Sequence, residues 1–100
     1  MRKKKYTIKP KYRIGTRLWK VHHELFDDTQ EFWEVVPRGK VDYITIDVLR
    51  HSVNIYYVFE AGNGVLEELC FDSKEKAIAE CKKRNALLKK QGKLWSKIKL

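Results

Sequence analysis

No stretch of this sequence is both long and apolar enough to be read as a membrane-spanning helix. Its first residues, MRKKKYTIKPKYRIG, carry the positive charge that begins a secretory signal peptide, but no apolar segment follows them. We therefore expect an unprocessed protein that does not enter a membrane and that works in the cytoplasm.

Cysteine is scarce as well, with two residues among 100. Two cysteines do not make the disulfide framework of a small secreted domain, and they suit a reducing compartment. Cys70 ends a strand-like segment and Cys81 lies in a helical one, and neither has an obvious histidine and acid partner. We expect two buried free thiols rather than a catalytic nucleophile.

The spacing of metal ligands is also missing, because the sequence contains neither C-x-x-C nor H-x-x-x-H. His22 and His23 are neighbours on a predicted strand, so their side chains point to opposite faces and do not share one ion. His23 falls on the apolar face and is predicted to be a hydrogen-bonded core histidine. We predict no metal and no cofactor.

Acidic residues are absent from both ends of the chain. Residues 1–20 hold nine Lys or Arg and no Asp or Glu, and residues 81–100 hold eight and none. The middle, residues 21–80, holds thirteen acidic residues against five basic ones, so the net charge of +9 comes from the ends. Basic ends around an acidic body favour an anionic partner, either nucleic acid or an acidic protein.

The middle of the chain has the pattern of a small β-rich domain. Its segments alternate or are rich in β-branched and aromatic residues, and short loops separate them, which predicts antiparallel hairpins. Two of the connections, PRGK at 37–40 and AGNG at 61–64, are predicted turns. The predicted strands are residues 17–26, 32–36, 41–48, 53–60 and 65–71.

After these segments the apolar residues follow a helical period, which predicts a helix in residues 73–92. Asp72 and Glu75 have the spacing of a capping box, and Gly92 is a natural end. One helical face is predicted to be buried, and it consists of Ala77, Ile78, Cys81, Asn85 and Leu88.

Five strands followed by one helix predict an α+β fold, a small antiparallel meander that closes into a barrel with the helix over one side. We place a basic N-terminal arm at 1–11, a single domain at 12–92 and a basic C-terminal tail at 93–100. The pattern leaves the tail open between strand, helix and disorder, and it leaves the oligomeric state open.

The segment YRIGTRLWKV resembles the opening of small barrels of the Src-homology-3 type. YYVFEAGNGVLEELCFDSKEKAIAECKKRN resembles the ending of many short proteins from phages and mobile elements of Gram-positive bacteria, in which an edge strand runs into F-x-S/T-K-E-E-A and a helix. The resemblance covers roughly residues 12–85 and implies a Src-homology-3-like barrel, a C-terminal helix and a bacterial host, but no catalytic residue. The matching residues are Phe71, Ser73, Lys74, Glu75 and Ala77, while Lys76 departs from the motif.

The leading hypothesis is a non-catalytic binding module that contacts nucleic acid or a nucleoprotein through its basic ends. Lysine dominates both ends, so the contacts would fall mainly on phosphates, and an interleaved tryptophan would stack on a base. The predicted nucleic-acid-binding residues are Lys3, Lys4, Lys5, Lys82, Lys83, Arg84, Lys89, Lys90, Lys93, Trp95 and Lys97.

Other interpretations of the same features remain open. The small size, the charge asymmetry and the resemblance also suit a phage-encoded anti-defence inhibitor, for example of a CRISPR nuclease. Lysines near a helix C-terminus suit the helix dipole and aid solubility, and Trp95 would then pack on the barrel. An enzyme is not expected. The adjacent carboxylates Glu67 and Glu68 splay apart on a predicted strand, and neither they nor the pair Asp27–Asp28 in the predicted loop 27–31 belong to a convergent polar constellation.

Overall fold

A computed structural model describes residues 8–98 of the chain. Within them the chain forms a five-stranded antiparallel sheet and a helix that follows it, so the predicted α+β class is confirmed. A 3-10 turn, Glu67–Leu69, separates the last two strands. The elements are β1 (Arg17–Leu25), β2 (Glu31–Val48), β3 (Val53–Phe59), β4 (Val65–Leu66), β5 (Cys70–Phe71) and α1 (Lys74–Lys90).

Strand β2 is one strand of 18 residues, where the sequence predicted two strands and a turn. Pro37 does not reverse the chain but pairs with Trp19 of β1. Gly39 has a φ of +86°, a conformation that glycine adopts without steric cost. The pairing with β1 shifts next to it, between Leu18 and Trp19, so the backbone forms a bulge and continues. The predicted turn at 37–40 is therefore wrong.

The strands lie in the order β4-β3-β2-β1-β5. β2 belongs to both halves of the sheet, because its first part pairs with β1 and its second part with β3. β5 returns to the other side of β1, where Phe71 pairs with Trp19. No ladder joins β4 to β5 in the described part of the chain, so the sheet is open and the predicted closure into a barrel is not confirmed.

Both faces of the sheet carry an apolar cluster, because Leu18 and Val21 of β1 belong to different clusters. Leu18 and Val21 point to opposite faces of β1, and both are fully buried. One cluster lies under α1 and joins Val21 to Ala77 and Cys81. The other lies between the strands and consists of Leu18, Val41, Tyr57, Phe59, Val65 and Cys70. The sequence predicted one buried apolar face for the strands, whereas the structure has two apolar clusters, one on each face of the sheet.

Helix α1 begins one residue later than the predicted capping box. The hydroxyl of Ser73 is the N-cap and accepts a hydrogen bond from the Lys76 N–H at 3.1 Å. Asp72 instead forms an ion pair with the Lys76 side chain, with 2.9 Å between Nζ and Oδ1. Of the predicted inner face, Ile78 is half-buried and the other four residues are buried, as expected.

The helix ends at Lys90, two residues before the predicted stop at Gly92, which has a φ of +70°. The N–H of Gly92 donates to the carbonyl of Lys89 at 3.1 Å, and the N–H of Lys93 donates to the carbonyl of Leu88 at 2.9 Å. These two bonds form a Schellman motif, which satisfies carbonyls that the last helical turn leaves free.

Within residues 8–98 no helix is long and apolar enough to cross a membrane.

Residues 93–98, the described part of the predicted tail, lie against the start of β2. The Glu31 N–H donates to the carbonyl of Lys93 at 2.9 Å, and the Trp95 N–H donates to the carbonyl of Glu31 at 3.0 Å. Between them Leu94 forms an isolated parallel bridge with Glu31, and a turn follows at 96–97. The segment is therefore neither a full strand nor a helix, and backbone hydrogen bonds fix it to the sheet.

Candidate nucleic-acid interface

A cleft of about 380 Å³, hereafter the β2–α1 cleft, lies between the first half of β2 and one side of α1. Residues 93–98, hereafter the C-terminal segment, also contribute to its lining. The charged side chains of its lining are Lys82, Lys97 and Glu34. The larger apolar side chains are Phe32, Trp33, Val35, Ile78, Trp95 and Ile98.

Asn85 fixes the two walls of this cleft to each other. Its side chain is 4% exposed, its Oδ1 accepts the Trp33 N–H at 2.8 Å, and its Nδ2 donates to the Trp33 carbonyl at 3.0 Å. On this side, apart from the bridge between Leu94 and Glu31, no strand of the described residues pairs with the first half of β2, because β1 lies on its other side. The amide of Asn85 thus takes the place that a neighbouring backbone would fill.

Arg84 is held against the protein beside the cleft. Its guanidinium carbon lies 4.3 Å from the centre of the Trp33 ring, and its Nε donates to Glu80 at 2.7 Å. The first contact is a cation–π interaction and the second an i,i+4 ion pair. Arg84 was predicted to contact nucleic acid, but in this conformation it stabilises the aromatic wall.

Trp95 packs on the sheet and also lines the cleft. Its ring is stacked on Phe32 with 5.1 Å between centroids, and it lies 5.2 Å from the ring of Phe26. The side chain is half-buried. Trp95 therefore packs on the domain, as the alternative interpretation of the sequence expected. The side chain also contributes to the lining of the β2–α1 cleft and of a smaller cleft beside it.

The fold brings part of the predicted basic set together with Trp95. Lys82 of α1 and Lys97 of the C-terminal segment line the β2–α1 cleft. Lys89 lines the adjoining cleft of about 330 Å³, to which Trp95 also contributes. Three lysines on two segments thus line the two clefts to which Trp95 contributes.

The other predicted basic residues are not part of this arrangement. Some are exposed on α1 or just after it and line neither cleft, and others lie in residues 1–7, outside the part that the structure describes. The exposed ones are Lys83, Lys90 and Lys93, and those outside are Lys3, Lys4 and Lys5.

His23 is exposed, so the prediction of a core histidine is wrong. Its Nε2 lies 3.0 Å from Oε1 of Glu31, and its ring packs on Trp33 with 4.8 Å between centroids. His22 on the opposite face lies 2.7 Å from the Glu24 carboxylate. In residues 8–98 no three His, Cys, Asp or Glu side chains are grouped closely enough to hold a metal ion.

Both cysteines are buried free thiols, as predicted. Burial raises the pKa of Cys70 to about 12 and that of Cys81 to about 11. Both thiols therefore stay protonated at neutral pH, where the thiolate would be the nucleophile. Cys81 contributes to the β2–α1 cleft as a small apolar group.

The acid pair Glu67–Glu68 is divided between two environments. The Glu67 carboxylate accepts a hydrogen bond from the Tyr57 hydroxyl and another from the Lys11 N–H at 2.9 Å, while Glu68 is exposed. The same Tyr57 oxygen accepts the Tyr12 N–H at 3.1 Å. Burial and the hydrogen bond to Glu67 raise the pKa of Tyr57. Glu67 thus fixes residues 11 and 12 to the sheet.

Sequence reasoning missed Phe32, Trp33 and Ile78 as parts of this site. One signal was present, because Asn85 is a polar residue on an otherwise apolar helical face and a buried amide requires partners.

Comparison of the chain with protein-family models, with curated proteins and with solved structures finds no match.

Proposed function

We propose that this protein is a non-catalytic binding module that contacts nucleic acid or a nucleoprotein through basic residues of α1 and of the C-terminal segment. One observation carries the proposal: Lys82 and Lys97, from separate segments, line one cleft with Trp95. Cations that track phosphates beside an aromatic ring are the usual composition of a surface that binds nucleic acid without sequence preference.

The lysines outside the clefts add a wider electrostatic surface. Lys83, Lys90 and Lys93 are exposed on the same helix or directly after it. Lysine interacts with phosphate as a point charge and does not form the bidentate hydrogen bonds that distinguish bases. The affinity for nucleic acid would therefore depend on the salt concentration more than on the nucleotide sequence.

The arrangement of the sheet supports the finer proposal of a Src-homology-3-like barrel. β2 has register shifts and is shared by both halves of the sheet, a 3-10 turn precedes β5, and β5 pairs with β1. Small barrels of this kind serve as binding modules, but function is decided by the site and not by the fold.

Binding of labelled single-stranded and duplex oligonucleotides, measured by fluorescence anisotropy at several salt concentrations, tests this function. Replacement of Lys82, Lys89 and Lys97 by Gln should weaken binding and reduce its salt dependence. The matched control replaces Lys40, Arg50 and Lys74, which are exposed and line neither cleft. Equal losses in both variants would show that net charge alone attracts the nucleic acid.

The second candidate, an anti-defence inhibitor that binds a host enzyme such as a CRISPR nuclease, has its own supporting observation. The end of the β2–β3 hairpin exposes large apolar side chains: Ile46 is 41% exposed, Leu49 55% and Val48 66%. Exposed apolar side chains grouped in one region are typical of protein interfaces.

The inhibitor candidate is tested by inhibition of DNA cleavage by a purified CRISPR nuclease. Ile46→Glu should abolish inhibition, whereas Thr45→Glu, an exposed neighbour on the opposite face of the same strand, should preserve it. Absence of inhibition by the unaltered protein rejects this candidate for that nuclease.

A further inference from the structure

We infer that the β2–α1 cleft takes one unstacked base of a single strand, with the phosphates on either side of that base held by Lys82 and Lys97. This inference rests on the proposed function and adds to it the form of nucleic acid and the place where it binds. It follows from the size of the cleft, from its aromatic walls and from the signs of its charges.

The size and the walls suit a flat aromatic group. The volume of about 380 Å³ lies at the lower end of the range of about 300–1,000 Å³ that small-molecule sites occupy. Phe32, Trp33 and Trp95 supply aromatic surface, and Asn85 fixes the Trp33 backbone to the helix. The walls are therefore positioned before a ligand arrives, which lowers the ordering cost of binding.

The charges of the lining suit a nucleotide better than other apolar anions. Lys82 and Lys97 attract phosphates, and Glu34 offers a carboxylate that accepts hydrogen bonds. Nucleobases carry N–H donors for such an acceptor, as when a carboxylate accepts from the amino group of cytosine. A fatty acid has no such donor, so Glu34 would oppose it.

An inserted base requires a single strand. In a duplex each base is stacked and paired, and removing it costs a few kilocalories per mole. A single strand with splayed bases pays much less and can place one base on an aromatic wall while its backbone follows the lysines. We therefore expect a preference for single strands on top of general attraction to phosphate.

The test compares a single-stranded homopolymer of about twelve nucleotides with an abasic strand of the same length and charge. The unaltered protein should bind the base-containing strand about 5- to 150-fold more tightly than the abasic one. Lys82→Gln should weaken binding of the base-containing strand more than Lys83→Gln, although both lysines are exposed neighbours on α1. Thermal melting confirms that both variants are folded.

The outcomes separate the inference from the function on which it rests. Equal affinity for the two strands, or equal effects of Lys82→Gln and Lys83→Gln, overturns the base-in-cleft inference while salt-sensitive binding keeps the proposed function. No salt-sensitive binding to any strand overturns both. Displacement of the bound strand by an acidic apolar peptide, but not by a free nucleoside monophosphate, assigns the cleft to a protein partner and overturns the inference.

Discussion

The side-chain amide of Asn85 forms hydrogen bonds with both the N–H and the carbonyl of Trp33, a residue 52 positions earlier in the chain. This pair joins α1 to the first half of β2, next to the point where residues 93–98 bridge to Glu31. It satisfies the backbone groups of Trp33 at this edge of the sheet and connects two walls of the β2–α1 cleft.

Replacing Asn85 by Leu should therefore destabilise the fold strongly. The leucine has the same branched shape but leaves the Trp33 N–H and carbonyl without their partner, which costs about 2–4 kcal/mol. Urea denaturation measures the loss, and Asn63→Leu in the exposed turn between β3 and β4 serves as the control with an expected change below about 0.5 kcal/mol. An Asn85→Leu protein as stable as the original would contradict the role given to this pair.

Trp95→Ala should lower stability as well as any binding. The ring packs on Phe26 and Phe32, so its removal should cost about 1–3 kcal/mol in the free energy of unfolding. Trp95→Phe keeps an aromatic ring and should lose less, and Ser96→Ala at an exposed neighbour should change little. Unchanged stability of Trp95→Ala would contradict the packing of this ring on Phe26 and Phe32.

Stability should fall at alkaline pH. The pKa of Cys70 is raised to about 12 and that of Cys81 to about 11 in the folded protein, against an ordinary value of 9.0. Above about pH 9 the unfolded chain releases these protons while the folded chain keeps them, so each step in pH favours unfolding. The thiol contribution is complete below pH 9 and is lost as pH rises towards 11 and 12.

Chemical denaturation at about pH 8 and about pH 10.5 measures this effect. A Cys70→Ala, Cys81→Ala variant is the control, and it should show a smaller difference between the two pH values than the original protein. An equal difference in both proteins would show that other groups, such as the buried Tyr57, account for the alkaline loss.

The helix could be predicted because its signals are local. The apolar period identified the buried face of the helix, and Gly92 identified the region of its end. Both signals lie in consecutive residues, because helical geometry fixes the relative directions of nearby side chains. The cap was placed one residue early because Asp72 and Ser73 both have side chains that suit an N-cap. The structure assigns that role to Ser73.

The sheet was less predictable, because the bounds of its strands depend on pairing between segments that are distant in the sequence. PRGK has the composition of a turn, yet the register with β1 absorbs Gly39 as a bulge and joins two predicted strands into one. The cleft was not predictable for a similar reason. The helical period places Lys82 one turn after Ile78 and Lys83 farther from the apolar face, but only the meeting of α1, β2 and residues 93–98 puts Lys82 in the lining of the same cleft as Trp95.

The central claim, contact with nucleic acid through these lysines, is tested most directly by the salt dependence of binding. Affinity of the full chain should be measured between about 50 and 200 mM salt; about six phosphate contacts predict a log–log slope near −5 for a duplex and near −4 for a single strand. Replacing Lys82, Lys89 and Lys97 by Gln should reduce the magnitude of the slope by about two to three. If the unaltered protein shows no salt-sensitive binding to either form, the claim is contradicted, and protein binding through the β2–β3 hairpin becomes the leading proposal.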